Sequence, residues 1–161
     1  MRLTFNLIDE QKLIFTDDAV AQMTAFAQHC WHQREAGGVL LGRHLLDSGH
    51  IVIDEVTTPQ PKDRRSRYAF FRSEQHNRIA QQRWESSKGT LAYLGLWHTH
   101  PERIPSPSPT DCEDWNKAVA QHAFFGDILF FPIVGTDSIR VWAKARLEPI
   151  RELSLTTLWG V

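Results

Sequence analysis

Two histidines separated by one residue open the segment with the plainest chemical content, Trp97-His98-Thr99-His100-Pro101-Glu102-Arg103-Ile104-Pro105-Ser106-Pro107-Ser108-Pro109-Thr110-Asp111. In extended backbone, residues two apart project to the same face, so the imidazoles of His98 and His100 can reach one ion. Imidazole suits zinc. A carboxylate offered from the first turn of a following helix would be a third ligand, and Asp111 stands at that place. Three protein ligands leave a fourth tetrahedral position for water, the pattern of a catalytic and not a structural zinc site. Zinc lowers the pKa of that water toward ~7, but attack on an amide still needs a base to take its proton and return it to the leaving amine. A glutamate from elsewhere in the chain has to supply that base.

The elements that must position these groups are legible in outline. Leu91 to His98 is a mostly apolar run, as expected for a strand buried on both faces. The loop after it is stiffened by Pro101, Pro105, Pro107 and Pro109. Thr110 with Glu113 three residues on reads as a capping box that starts a helix carrying Trp115, Ala118 and Val119. Upstream, Arg2 to Ile8 reads as an opening strand, and Thr16 before Asp17 and Asp18 as the start of an amphipathic helix running to about His32. Gly37 to Gly42 and Ile51 to about Thr57 form a hairpin around Ser48-Gly49. Tyr68 to Phe71 is a short strand, and Ser73 caps a helix to about Ser87. Ile128 to Val134 and Ile139 to Ala143 close the chain as another hairpin. The expectation is one α/β domain over residues 1–161, a mixed β-sheet flanked by helices.

Composition narrows the class. The 161 residues are 42% hydrophobic and 23% charged, the balance of an ordinary globular domain. Such a length buries roughly 70% of its unfolded surface without disulfide staples. Cys30 and Cys112 form no C-x-x-C pair and read as idle thiols of a reducing cytoplasm. Met1 to Leu7 lacks the features of a signal peptide, and no apolar stretch approaches the ~18 residues of a membrane span. A net charge of -1 gives no general attraction to nucleic acid, although Lys62 to Arg67 is locally basic.

His-x-His, seven residues, Ser, two residues, Asp is the motif of the JAMM, or MPN-plus, zinc metalloproteases. His98, His100, Ser108 and Asp111 meet every spacing. Glu35-Ala36-Gly37-Gly38-Val39-Leu40-Leu41-Gly42 resembles the upstream segment of that family, which holds a glutamate just before a glycine-bounded strand. The resemblance implies one zinc ion per chain on His98, His100 and Asp111, with Glu35 as general acid/base. It further implies that Ser108 polarises the scissile carbonyl and stabilises the oxyanion, and that the fold has the JAMM/MPN, cytidine-deaminase-like architecture.

Plainer explanations exist for each residue alone. A histidine at a strand end is usually a surface or hydrogen-bonded core residue, and an aspartate before a helix is usually a cap. The remaining histidines, His29, His32, His44, His50, His76 and His122, have no ligand spacing and read as surface or core. Cys112 turns about 100° away from Asp111 on a helix. A nucleobase deaminase needs a Pro-Cys-x-x-Cys that is absent, and a zincin needs His-Glu-x-x-His.

The motif fixes the reaction better than the substrate. Between the helix of Asp111 and the final hairpin there is little room for the insertion with which polyubiquitin-cleaving members grip a linkage. Thr58 to Arg72, with its arginine-rich run, resembles a compact bacterial subgroup found with cyclic-oligonucleotide anti-phage (CBASS) operons. Its members free a nucleotidyltransferase, the CD-NTase, from targets to which an E1/E2-like partner has joined its C-terminus. An arginine-rich loop after an edge strand could clamp an extended acidic tail; a solvated loop is the plainer alternative, and nucleic-acid binding is disfavoured. A peptidase for another ubiquitin-like protein, for small amides or for cell-wall peptides stays open, as does a non-catalytic MPN scaffold.

Overall fold

The computed structural model describes residues 2–121, 124 and 126–156; His122 lies outside them. In chain order the elements are β1 (Leu3–Asn6), β2 (Lys12–Phe15), α1 (Asp17–Thr24), β3 (Gly37–His44), β4 (Ile51–Val56), β5 (Arg64–Ser66), β6 (Ala69–Phe71), α2 (Gln75–Ser86), β7 (Ala92–Thr99), α3 (Pro109–Gln121), β8 (Ile128–Val134), β9 (Ile139–Ala145) and β10 (Arg151–Glu152). Eight strands form one mixed sheet in the order β1-β2-β4-β3-β7-β8-β9-β10, and β5 and β6 make a separate two-stranded ribbon. The expected α/β architecture with a mixed sheet and flanking helices is what the chain adopts.

Alternation along the strands splits the apolar residues into two layers. Leu40, Ile53, Leu94, Trp97 and Phe130 pack with Ala19, Val20 and Met23 of α1. Leu129, Phe131, Ile133 and Trp142 pack with Trp115, Ala118 and Val119 of α3. Trp97 is fully buried, and its indole N–H is satisfied by the Thr57 carbonyl at 2.9 Å, so its burial leaves no polar atom unpaired.

Several elements depart from the sequence reading. The first helix ends at Thr24, well short of His32. Beyond it Phe26 and Ala27 still pack in the core, but Gln28 is buried with its amide oxygen accepting the Thr99 hydroxyl at 2.8 Å and its NH2 donating to the Arg67 carbonyl at 2.9 Å. Those two partners draw the chain out of the helical path. Strand β2 went unread because it is only four residues long, joined to β1 through Asp9 and Glu10, both at positive φ. Strand β5 lies inside the charged run, where no apolar alternation announces it. Ser73 is not the cap of α2: Glu74 occupies that position and makes no side-chain capping bond. Strand β4 is not an edge strand, being paired on one side with β2 and on the other with β3.

Candidate metal centre

Strand β7, helix α3 and strand β8 form a crossover unit, with β7 and β8 parallel neighbours. Such a connection brings the start of its helix back over the C-terminal end of its first strand. The residues ending β7 and those opening α3 are therefore forced together.

Which face of β7 meets α3 is set by a bulge. Leu40 pairs with Gly95 while its neighbour Leu41 pairs with Tyr93, leaving Leu94 as an extra residue. An extra residue inverts the alternation beyond it. Leu94 and Trp97 consequently belong to the layer of α1, whereas Leu96 packs in the layer of α3. His98 falls on the α3 side, its ring 6.5 Å from that of Trp115.

The helix start is fixed by Ser108 and not by the expected Thr110 and Glu113. The Asp111 N–H donates to Ser108 Oγ at 3.1 Å, and the Asp111 carboxylate accepts the Ser108 N–H at 2.8 Å. This is a capping box displaced two residues from the one read in the sequence, with Pro109 at the favoured first helical position. Thr110 lies within the helix, and Glu113 is an exposed residue paired with Lys117 at 3.0 Å.

Together these constraints converge the three candidate ligands. His98 Nε2 and His100 Nε2 are 3.0 Å apart. Asp111 Oδ1 lies 3.2 Å from His98 Nε2, and Oδ2 lies 3.2 Å from His100 Nε2. Glu35 is buried, and its Oε1 is 3.9 Å from His100 Nε2. Glu35, His98, His100, Ser108 and Asp111 all line one groove. All five residues singled out in the sequence thus meet at one place. Cys112 does not line that groove.

Glu35 is held by the ribbon. Its N–H donates to the Ser66 carbonyl at 2.8 Å and its carbonyl accepts Arg65 Nε at 2.7 Å. Arg67 donates to the carbonyls of Cys30 and Trp31 at 3.2 and 2.6 Å. Arg65 and Arg67, in the run expected to clamp a substrate tail, are therefore engaged with the chain's own backbone. Arg64 is exposed, with its guanidinium 5.1 Å from the centre of the Phe71 ring. Close packing of the ribbon on β3 explains a motif glycine: a Cβ at Gly37 would stand 2.8 Å from the Phe70 ring and 2.5 Å from the Trp97 carbonyl oxygen.

The electrostatics are those of a site with surplus negative charge. Burial pushes Glu35 from an ordinary 4.5 up to about 7, against the pull of His100. Burial also disfavours the charged forms of His98 and Asp111. It wins for His98, which is lowered; for Asp111, hydrogen bonds from His100 and His98 outweigh it and hold the carboxyl well below its usual range. For His100 the bond to Asp111 and the charges of Asp111, Glu35 and Glu102 overcome burial and raise it. Two imidazole nitrogens with a carboxylate, their ligating atoms all within 4.8 Å of one another, are a donor set for a borderline divalent ion. Tetrahedral zinc, at about 2.0–2.1 Å from each nitrogen, separates its ligands by roughly the distances seen here. The residues fit the metal that the motif implies.

Two features of the surroundings had no sequence signal. Arg72 lines the groove and donates to the carbonyls of Gly38 and Trp97 at 2.9 and 2.7 Å, tying β6 to β3 and β7. Asp63, within the basic run, bonds His76 Nε2 at 2.7 Å, and His76 Nδ1 lies 2.6 Å from the Thr57 hydroxyl. That hydroxyl also accepts the Val39 N–H, so His76 bridges Asp63 to the end of β4. Asp63 also accepts the N–H groups of Gln60 and Ser73, so it staples the ribbon's loop from beneath.

Comparison with known proteins gives the family of the chain. Residues 16–146 match a family model described as prokaryotic homologs of the JAB domain. A Pseudomonas aeruginosa protein named CD-NTase/cGAS isopeptidase is 46% identical over 88 residues, 54% of each chain. Proteins of the same name from Escherichia coli and Vibrio cholerae are each 30% identical, over 66% and 70% of this chain and 67% and 78% of theirs. The chain thus spans about half the length of the Pseudomonas relative it matches. A solution structure of a Desulfitobacterium hafniense protein shares the fold, with a TM-score of 0.60 at 19% identity over 87% of this chain and 88% of that one.

Proposed function

The chain belongs to the prokaryotic JAB, or JAMM, family, and from that premise we propose that it is a zinc-dependent isopeptidase that frees the C-terminus of a CD-NTase from conjugated targets. The observation that carries the proposal is the convergence of His98 Nε2, His100 Nε2 and Asp111 within 3.0–3.2 Å, with the Glu35 carboxylate 3.9 Å from His100.

In this reading His98, His100 and Asp111 hold zinc, which when bound polarises a carbonyl and makes water more acidic. Glu35 takes a proton from the attacking water as the new C–O bond forms. The Ser108 oxygen accepts the Asp111 N–H, so its own hydrogen can be donated to the oxyanion. Glu35 then returns the proton to the amide nitrogen as the C–N bond breaks, giving a carboxylate and a free amine. Burial of the Glu35 carboxyl favours its holding the proton between the two halves of that exchange.

The relatives' names and the groove support this choice of substrate. Tyr68 to Arg72 line one side of it, and among the described residues β6 pairs only with β5. An extended tail can lie along that ribbon by backbone pairing, with Arg64, Tyr68 and Phe71 at its exposed face. In this reading the enzyme works in the cytoplasm, in a pathway with an E1/E2-like conjugating partner. The test uses the CD-NTase tail fused through its C-terminus to a reporter: cleavage after the last tail residue, abolished by chelation and slowed by ~10²-fold or more in Glu35→Ala, is expected. Zinc-free activity, or no preference for that tail over unrelated tails, refutes the assignment.

A further inference from the structure

His100 is held from behind by a carboxylate that the proposed reaction does not use. Its Nε2 faces His98 and Asp111, while its Nδ1 lies 3.1 Å from Glu102 Oε1. A neutral imidazole carries one N–H and one lone pair. If Nε2 ligates a metal, the hydrogen sits on Nδ1, and the Glu102 carboxylate is placed to accept it.

Glu102 is anchored although its side chain is 48% exposed. Its Oε2 accepts the Ser106 N–H at 3.2 Å, and its carbonyl accepts the Thr136 N–H at 2.8 Å. The same loop presses on the turn between β8 and β9, where a Cβ at Gly135 would come within 2.6–2.8 Å of Pro105 and the carbonyls of Glu102 and Arg103. The carboxylate therefore meets the imidazole from a backbone braced on two sides. It also links His100 to the proline-rich loop that delivers Ser108 and Asp111.

We propose that Glu102 is a positioning residue for the metal, one that fixes the Nδ1–H tautomer and ring orientation of His100 and strengthens its hold on zinc. Carboxylate partners behind ligating histidines typically contribute 10–100-fold to metal affinity. The inference rests on the reading of His98, His100 and Asp111 as a zinc site.

The experiment measures zinc affinity of the full chain by competition with a chromophoric chelator, for wild type, Glu102→Ala, Glu102→Gln and His98→Ala, alongside the thermal unfolding of each metal-free protein. Glu102→Ala should weaken zinc binding by about 10–100-fold. Glu102→Gln, whose amide oxygen still accepts the Nδ1–H, should recover part of that loss. If both Glu102 variants bind zinc within about twofold of wild type while His98→Ala loses it, the carboxylate only braces the loop and the proposal is overturned, with the zinc site intact. If His98→Ala also binds as wild type does, the site assignment fails and this inference with it.

Discussion

Ser108 and Asp111 hold each other reciprocally: each accepts the other's backbone N–H, at 2.8 and 3.1 Å, so the proposed ligand is also the residue that starts its own helix. The helix needs only an acceptor at position 111, whereas the metal needs a charge. Asp111→Asn should lose zinc but keep the cap, lowering the unfolding temperature of the metal-free protein only through the lost charge-assisted bonds to His98 and His100. Asp111→Ala should lose zinc and also about 1 kcal/mol of helix capping, a fall of a few degrees. Elemental analysis and thermal melts check both; equal melts for the two variants would show that the cap contributes little.

Glu35 separates proton transfer from metal holding. Glu35→Ala is expected to keep about one zinc per chain and to lower turnover by ~10²-fold or more, the range for losing a general base. Near-normal turnover with zinc in place would mean that another group takes the proton.

The same carboxyl should leave a mark on stability. In the metal-free protein its folded pKa is about 7 against an ordinary 4.5. Below 4.5 both folded and unfolded states keep the proton. Between 4.5 and 7 the unfolded chain releases it and the folded chain does not, so stability falls as pH rises, and the loss levels off above 7. Its size is at most about 3 kcal/mol. Denaturant unfolding of wild type and Glu35→Gln at pH 5 and pH 8 isolates this contribution, because the glutamine variant should lack that part of the decline. Parallel pH profiles for the two proteins would contradict it.

The arginine run should divide by role. Arg64→Ala is expected to raise KM for the tail substrate with little change in kcat, since that exposed side chain stacks on Phe71, which lines the groove. Arg65→Ala should lower kcat more than it raises KM at unchanged zinc content, because Arg65 Nε holds the Glu35 carbonyl at 2.7 Å. Steady-state kinetics on the tail–reporter fusion distinguish the two; identical effects for both variants would remove the division.

The candidate site was legible because its residues lie at short fixed spacings on one strand end and one helix start, where local geometry alone brings them near. Glu35 is 63 residues from His98 in sequence, and only the likeness to a known motif connected them. What escaped reading was set by distant contacts. The basic run gave no sign that Arg65 and Arg67 reach across to carbonyls 30 and 36 residues away, and a charge run ordinarily denotes a solvated face. Gln28 ended α1 early through bonds to Thr99 and Arg67, partners that no helical periodicity reveals. Thr110-x-x-Glu113 fits the capping-box pattern as well as Ser108-x-x-Asp111 does; only the turn enforced by the proline-rich loop chooses between them.

The extra residue at Leu94 makes the location of the reactive groups a matter of parity. Counted by twos from Ala92, both histidines belong under α1, inside the core that holds Trp97; the one surplus position moves them to the layer of α3 and the groove. Gly95, at φ 142° and with no room for a Cβ against the Phe130 carbonyl, sits at the irregularity, and removal of a single codon there is expected to erase it, turning both imidazoles inward while every residue of the motif remains in place. For this chain, an intact string of motif letters is therefore compatible with a dead centre, and the length of the strand before His98 is as much a part of the active-site specification as the histidines themselves.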